Sequence, residues 1–347
     1  MADYLEQYKD KTILVTGGAG AIGSNLSRAL GGLAKRVIIL DNLVSSERWN
    51  VPSLPNVMFV EGDILDEVKV KRCFFEKPDI VFHLAAFFAN QNSVDHPEND
   101  LMVNGMGTLK LMEYSVLQGV DRFVYASSGC SIYGSAAPLP LKEEFMSMHL
   151  TTPYQITKML GELYGNFFWH HYNLPIVKAR FFNSFGPGEV PGQYRNVIPN
   201  FIYWAMKGLP LPITGTGEET RDFTWVGDIV DGLLRAGVIE AAIGEEFNLA
   251  SGRETTIKDL ANMINEATGN TAGIKWAQVR KWDTKKRLRA SVDKARSLIG
   301  YAPDTDFGEG LDQTIAWFRD NWDLIDAAAS FGPGVSSAVR DMVVKKS

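Results

Sequence analysis

The chain has 347 residues, 45% of them hydrophobic and 22% charged, and 35 Lys and Arg against 41 Asp and Glu leave a net charge of -6. That hydrophobic share excludes a disordered chain, and the length suits one large α/β unit or two unequal lobes. The acidic balance is wrong for a general nucleic-acid binder, and two cysteines, Cys73 and Cys130, supply neither a disulfide framework nor metal-ligand spacing, so no metal is expected.

The N-terminal residues Met1-Ala2-Asp3-Tyr4-Leu5-Glu6 lack the basic-then-apolar order of a signal peptide. The longest mostly apolar run, Ile80–Ala89, is about half the length of a bilayer crossing, and a soluble, cytoplasmic protein is expected. Thr12–Thr16 is a short, β-branched apolar run that stops in Gly17-Gly18-Ala19-Gly20. Ile22, Leu26 and Leu30 then recur at helical spacing until Gly31-Gly32. Arg36–Leu40, Val57–Val60, Asp79–Leu84 and Arg122–Ala126 repeat the buried-strand pattern, the first ending on Asp41-Asn42 and the second on Glu61-Gly62-Asp63. Between the last two, Leu101, Gly105, Thr108, Leu109, Met112 and Val116 predict one helical face. Strands that are apolar throughout and separated by helices predict an α/β fold, a parallel sheet covered on both sides. Leu174–Phe182 predicts another strand, Gly186-Pro187-Gly188 and Pro191-Gly192 mark a loop, and Arg280–Arg289 carries six basic residues against one acid. No internal repeat is visible, and from about Asp326 the chain turns Ala/Ser/Gly-rich, which predicts a peripheral tail over 326–347.

Gly17, Gly20 and Gly23 lie between a predicted strand and a predicted helix. Glycines there allow a tight turn, close approach of a pyrophosphate and close packing of the helix, whose N-terminus offers free N–H groups and a favourable dipole. The triplet alone would also fit an ordinary flexible turn; the strand-loop-helix context and Asp41, 18 residues after Gly23, point to a dinucleotide. A carboxylate at that position accepts from both adenosine ribose hydroxyls and repels a 2′-phosphate, which favours NAD over NADP. Asp63 ends the third strand at the same sheet edge, where it reaches toward the adenine or caps the following helix.

Thr152-Pro153-Tyr154-Gln155-Ile156-Thr157-Lys158 begins a predicted helix with Pro153 in its first turn. The i,i+4 spacing puts Tyr154 and Lys158 on one face. A free tyrosine titrates near about pH 10; a nearby ammonium and a positive nicotinamide ring favour the phenolate and make it a base. Lys158 can also bond the nicotinamide ribose. Ser127 and Ser128 follow the fifth strand directly, so a serine hydroxyl emerges at the cofactor edge, placed to bond the reacting sugar oxygen.

On these residues the chain resembles, over nearly its whole length, the extended short-chain dehydrogenase/reductases of the nucleotide-sugar epimerase and dehydratase group. The matching pieces are Thr16–Gly23, Asp41-Asn42, Gly62-Asp63, His83-Leu84-Ala85-Ala86, Asn104 with Gly107-Thr108, Ser127-Ser128, Tyr154-x-x-x-Lys158, Arg180-Phe181-Phe182-Asn183 with Gly186-Pro187, and Thr220-Arg221-Asp222-Phe223 with Asp228. The resemblance implies a Rossmann-type doubly wound sheet over residues 1–180, with segments near 220–250 returning to it, and a smaller C-terminal α/β substrate lobe over 181–325. It implies retained NAD, contacted by Gly17, Gly20, Ala21, Ile22, Gly23, Asp41, Asn42, Asp63, Ile64, Leu84, Ala85, Ala86, Asn104, Ser127, Tyr154, Lys158 and Phe181. It also implies a nucleoside-diphosphate sugar held by Ser128, Asn183, Asn196, Arg221 and Arg289, the arginines facing the diphosphate. A homodimer built from helices flanking 98–119 and 152–172 completes the picture.

The departures bear on the reaction. Members of the group share oxidation at C4, and their dehydratases and decarboxylases carry an acid after the serine strand. Here that segment reads Gly129-Cys130-Ser131, without a carboxylate. C4 epimerisation needs no further acid or base, since the 4-keto sugar rotates and takes the hydride back on its other face. Counting from the strand makes Ser128 the hydroxyl; counting back from Tyr133-Gly134 lands on Gly129. Cys130 also resembles the acid/base cysteine of the GDP-mannose 3,5-epimerases, but Val197 stands where their partner lysine would be. Small-residue packing at Cys130, release of a 4-keto sugar, and a catalytically quiet NAD-binding protein on the same fold are the other readings. The loops 87–93 and 186–200 are expected to choose the sugar.

Overall fold

In a computed structural model of the chain, residues 4–279 and 285–331 are described. Six strands, β1 (Thr12–Thr16), β2 (Arg36–Asp41), β3 (Val57–Glu61), β4 (Ile80–His83), β5 (Arg122–Ser128) and β6 (Ile176–Phe181), run parallel in the order β3-β2-β1-β4-β5-β6. The strand Glu246–Leu249 extends the sheet parallel to β6. Alternate residues feed two cores. Ile13, Val15, Val37 and Ile39 face the helix α1 (Ala21–Gly31) and the helix Val226–Val238, while Leu14, Ile38 and Leu40 face the side holding Leu111, Met112 and Phe168. Both faces are therefore apolar, which is why the strands read as unbroken runs. The order reverses direction between β1 and β4, and this switch point opens the crevice at the carboxyl ends of the strands.

β5 continues two residues past its predicted end, because Ser127 and Ser128 still pair with Arg180 and Phe181 of β6. The predicted helical face over 101–116 is interrupted. Leu101–Gly107 forms a π-helical turn before the α-helix Thr108–Gln118, so Leu101 is exposed while Asn104, Gly105 and Gly107 turn inward. A π turn advances the chain further per hydrogen bond and shifts the faces around the axis.

A third core gathers Phe185, Ile198, Phe201, Trp204, Leu260, Ile264, Leu311 and Phe318 beneath the cleft. Of residues 326–331, the start of the expected tail, Phe331 packs against this core and Asp326 and Ser330 bond to the residues around it. Asp326 ends up under Tyr203 Oη (2.7 Å) and Lys207 Nζ (2.7 Å), the Ser330 carbonyl accepts from Gln193 N (2.9 Å), and the Phe331 ring lies 5.4 Å from Trp204. Residues 332–347, the rest of the expected tail, lie outside the described residues.

Candidate active site

The glycine turn and the strand ends build one wall of a cleft of about 510 Å³. Gly17 has φ +70, and a Cβ there would stand 2.6 Å from the Ala85 amide nitrogen. A Cβ at Gly23 would stand 2.0 Å from the Gly17 carbonyl oxygen, so the third glycine is what lets α1 seat against the turn. Asp41 is buried at the end of β2, accepting from Ala19 N at 2.9 Å, Leu43 N at 2.9 Å and Ser46 Oγ at 2.8 Å. Asn42 Nδ2 donates to Asp63 (2.7 Å), which also accepts from Leu65 N (2.8 Å). Gly20, Ala21, Ile22, Ile64, Leu84, Ala85, Ala86 and Phe181 line the same wall. A glycine cradle, a helix N-terminus and a held carboxylate fit a dinucleotide.

Asn104 is placed differently from what the resemblance implies. Its side chain is buried behind the wall, donating to Asp100 at 2.9 Å and the Phe87 carbonyl at 3.2 Å and accepting from Phe87 N at 2.8 Å. It holds the loop after β4, of which Phe88, Ala89, Asn90 and Gln91 line the cleft. Ser127 lines the wall, but its hydroxyl donates inward to Glu162 (2.5 Å).

The helix Pro153–Tyr172 starts where Thr152 accepts from Gln155 N and Pro153 has no N–H to leave unpaired. Tyr154 and Lys158 are both buried on its cleft side. Lys158 Nζ donates to the Ala126 carbonyl (2.9 Å) and lies 5.6 Å from the Tyr154 ring centre. Ser128, last residue of β5, lines the cleft beside Tyr154 and donates to Ser131 Oγ at 3.0 Å. A Cβ at Gly129 would meet the Phe182 ring at 2.1 Å, so the serine strand presents Ser128 and leaves no room for a side chain at the next position.

Burial raises the Tyr154 pKa, with Asp100 and Cys130 adding to it and the Ser128 hydroxyl opposing it. The ammonium beside it does not outweigh desolvation, so the protein groups alone keep Tyr154 a phenol. Burial also pushes Lys158 down to about 8, opposed by Asp100.

The opposite wall carries Asn183, Asn196, Val197 and Arg221. Asn196 donates from its amide side chain to Glu189 (3.0 Å), and Arg221 donates to the Thr220 carbonyl at 2.7 Å and the Lys285 carbonyl at 3.3 Å. Cys130 Sγ donates to Asn183 Oδ1 at 3.3 Å, and burial pushes the thiol up to about 12. Arg289 is not among the lining residues; its carbonyl accepts from Leu141 N at 2.8 Å beside the bridge between Leu141 and Ala290. The same segment contributes Lys285 and Leu288 instead, and Lys285 Nζ donates to the Cys130 carbonyl. Residues 280–284 of the basic run lie outside the described residues. Sequence reasoning missed Lys285, Glu189 and Arg195, which donates to the Ser45 carbonyl across the cleft. For Lys285 the basic run was the signal; for the other two there was none beyond their nearness to Asn196.

The family model described as the NAD dependent epimerase/dehydratase family matches residues 13–250. A UDP-glucose 4-epimerase of Mycolicibacterium smegmatis is 35% identical over 310 residues, which is 88% of this chain and 98% of that protein. The solved structure of an epimerase, Mth375, from the methanogen Methanothermobacter thermautotrophicus shares 58% identity with a TM-score of 0.94, covering 95% of this chain and 98% of that one. A UDP-glucose 4-epimerase from Thermotoga maritima, solved with UDP-glucose, shares 35% identity with a TM-score of 0.85 over 90% of this chain and 99% of that one.

Proposed function

The chain belongs to the NAD-dependent epimerase/dehydratase family and is a nucleotide-sugar epimerase, and we propose that it inverts C4 of a UDP-hexose through a transient 4-ketone. The observation that carries this reading is the convergence of Ser128, Tyr154 and Lys158 at one cleft edge, with no carboxylate at 129–131 and no space for one at 129. Elimination of water or loss of carbon dioxide calls for an additional acid or base at that position; rotation of a ketone does not.

Gly17, Gly20 and the start of α1 would hold the pyrophosphate, Asp41 the adenosine ribose and Asp63 the adenine edge. Bound NAD supplies the hydride acceptor, the hydride donor and a positive charge beside the phenol. Tyr154 Oη takes the C4 hydroxyl proton and later returns it to the other epimer. Ser128 Oγ orients that oxygen, and Lys158 favours the phenolate when the proton leaves. Asn183, Asn196 and the guanidinium of Arg221 hold the substrate, the arginine on its diphosphate. Lys285 supplies the cation expected from Arg289.

Two copies pair through the helices around 101–107 and 153–172, a reading supported by the exposed Leu101, Met102, Met106, Ile156, Leu163 and Phe167. We place the enzyme in the cytoplasm, where Cys73 and Cys130, unpaired here, remain thiols. The test is incubation of the purified holoenzyme with UDP-glucose and UDP-N-acetylglucosamine, following C4 stereochemistry. Tyr154→Phe is expected to lower turnover by at least about 100-fold; undiminished turnover overturns the assignment.

A further inference from the structure

The loop 186–196 carries Asn196 to the sugar side of the cleft, and on its way it leans on the cofactor side. Gly188 has φ +98, and a Cβ there would stand 2.8 Å from Ser24 Oγ of α1. Asn25 Nδ2, also of α1, donates to the Pro187 carbonyl at 2.8 Å. From the connection between β2 and β3, the buried Asn50 donates through Nδ2 to the Gly188 carbonyl at 2.9 Å. Its neighbour Trp49 stacks on Trp317, ring centres 5.8 Å apart, which joins that connection to the third core. The loop is therefore fastened to the two segments that carry the proposed pyrophosphate and ribose contacts, the start of α1 and the chain after Asp41.

Arg195 adds a contact of a different kind. Its guanidinium donates to the carbonyl of Ser45, four residues beyond Asp41. Arg195, Asp41, Ser45 and Ser46 line the same cleft. The carboxylates acting on Arg195 are those of Glu189, Glu47 and Asp41, and Glu189 also lines the cleft. A guanidinium tied through one nitrogen keeps further N–H groups for an anion. Its charge also offsets the repulsion that Glu189 and Asp41 would exert on a diphosphate beside them.

We propose that Arg195 is a cofactor-binding residue brought in by the loop that carries Asn196. With Ser45 it closes a clasp over the adenosine half of the dinucleotide, so that NAD leaves only when residues 186–196 lift from the connection after β2. The inference rests on the dinucleotide reading of the glycine wall. It gives retention of the cofactor a physical cause: release has to break the Arg195 bond and the Asn50 and Asn25 bonds before the diphosphate is free. Loss of one such arm acts mainly on the rate of dissociation.

The test is cofactor exchange, which needs no turnover. Purified holoenzyme is mixed with excess deuterated NAD and passed through gel filtration at intervals, and the bound NAD is read by mass spectrometry. Arg195→Gln is expected to speed exchange by about 10-fold or more, the worth of one hydrogen bond to a charged group. Arg195→Lys, which keeps the charge and loses the fork, is expected to exchange faster than wild type and slower than the glutamine variant. Asn50→Ala, which frees Gly188, is expected to speed exchange as well. Circular dichroism and thermal melting verify each fold. Exchange at the wild-type rate in Arg195→Gln, or in Arg195→Lys where the glutamine variant does not fold, overturns this inference alone. A raised KM for UDP-glucose with unchanged exchange does so too, and assigns the guanidinium to the substrate. Wild-type protein that neither holds nor takes up NAD overturns the dinucleotide reading and this one with it.

Discussion

Lys158 Nζ donates to the Ala126 carbonyl at 2.9 Å, so the ammonium that faces Tyr154 also ties the helix Pro153–Tyr172 to β5. Its protonation is thus coupled to both the charge and the position of the phenol. With Lys158 held down to about 8 by burial, epimerisation is expected to fall as pH rises through that value. The sign for stability is opposite. A lysine whose folded pKa lies below its unfolded value, about 10.4, costs stability fully below pH 8, and that cost is relieved as the pH rises between the two. The lost rate is therefore not unfolding by this group. Initial rates against pH for wild type and Lys158→Arg check it: the arginine variant is slower and lacks the alkaline limb, and an identical limb in both contradicts the assignment.

Gly129 and Phe182 set where the serine hydroxyl emerges. A side chain at 129 would lie 2.1 Å from the ring, and overpacking of this kind costs about 1–3 kcal/mol. Gly129→Ala is expected to lower the melting temperature and the turnover together. Phe182→Leu in the same chain is expected to recover part of both, measured by thermal unfolding and epimerisation rate. Recovery of neither shows that the ring is not what excludes the side chain.

How much of this was legible in the sequence depended on how local each cause was. The Gly17 turn, Asp41 and the apolar strands declare themselves because each is decided within a few residues. The Tyr154–Lys158 pair is found by helical spacing, but the burial that governs its titration comes from segments distant in the chain and leaves no local trace. Asn104 sits in a recognisable motif, yet a π turn directs its amide to Phe87 and Asp100. The basic run named the segment, from which Lys285 and Leu288, and not Arg289, line the cleft. A bridge between Leu141 and Ala290 fixes how this segment passes the cleft, and a contact between segments this far apart in the chain has no signature in either one. The Ala/Ser/Gly composition after Asp326 likewise hid Asp326 and Phe331, two anchors among small residues.

Glu162 and Arg180 form a bidentate pair beneath the site, 2.7 Å apart, with side chains 4% and 2% exposed. The same carboxylate receives Ser127 from β5. Glu162→Ala leaves the guanidinium buried without its anion and is expected to cost about 3–5 kcal/mol, read as a loss in denaturant midpoint. A change below about 1 kcal/mol, within the range of a surface pair, contradicts that role.

On the proposed mechanism hydrogen leaves C4 as a hydride, stays in the cleft and returns to the same carbon. UDP-glucose deuterated at C4 tests it most directly. The product epimer is expected to keep the deuterium at C4 in unlabelled water, and Tyr154→Phe is expected to slow its formation by at least about 100-fold. An epimer formed with the C4 deuterium lost to solvent contradicts hydride return.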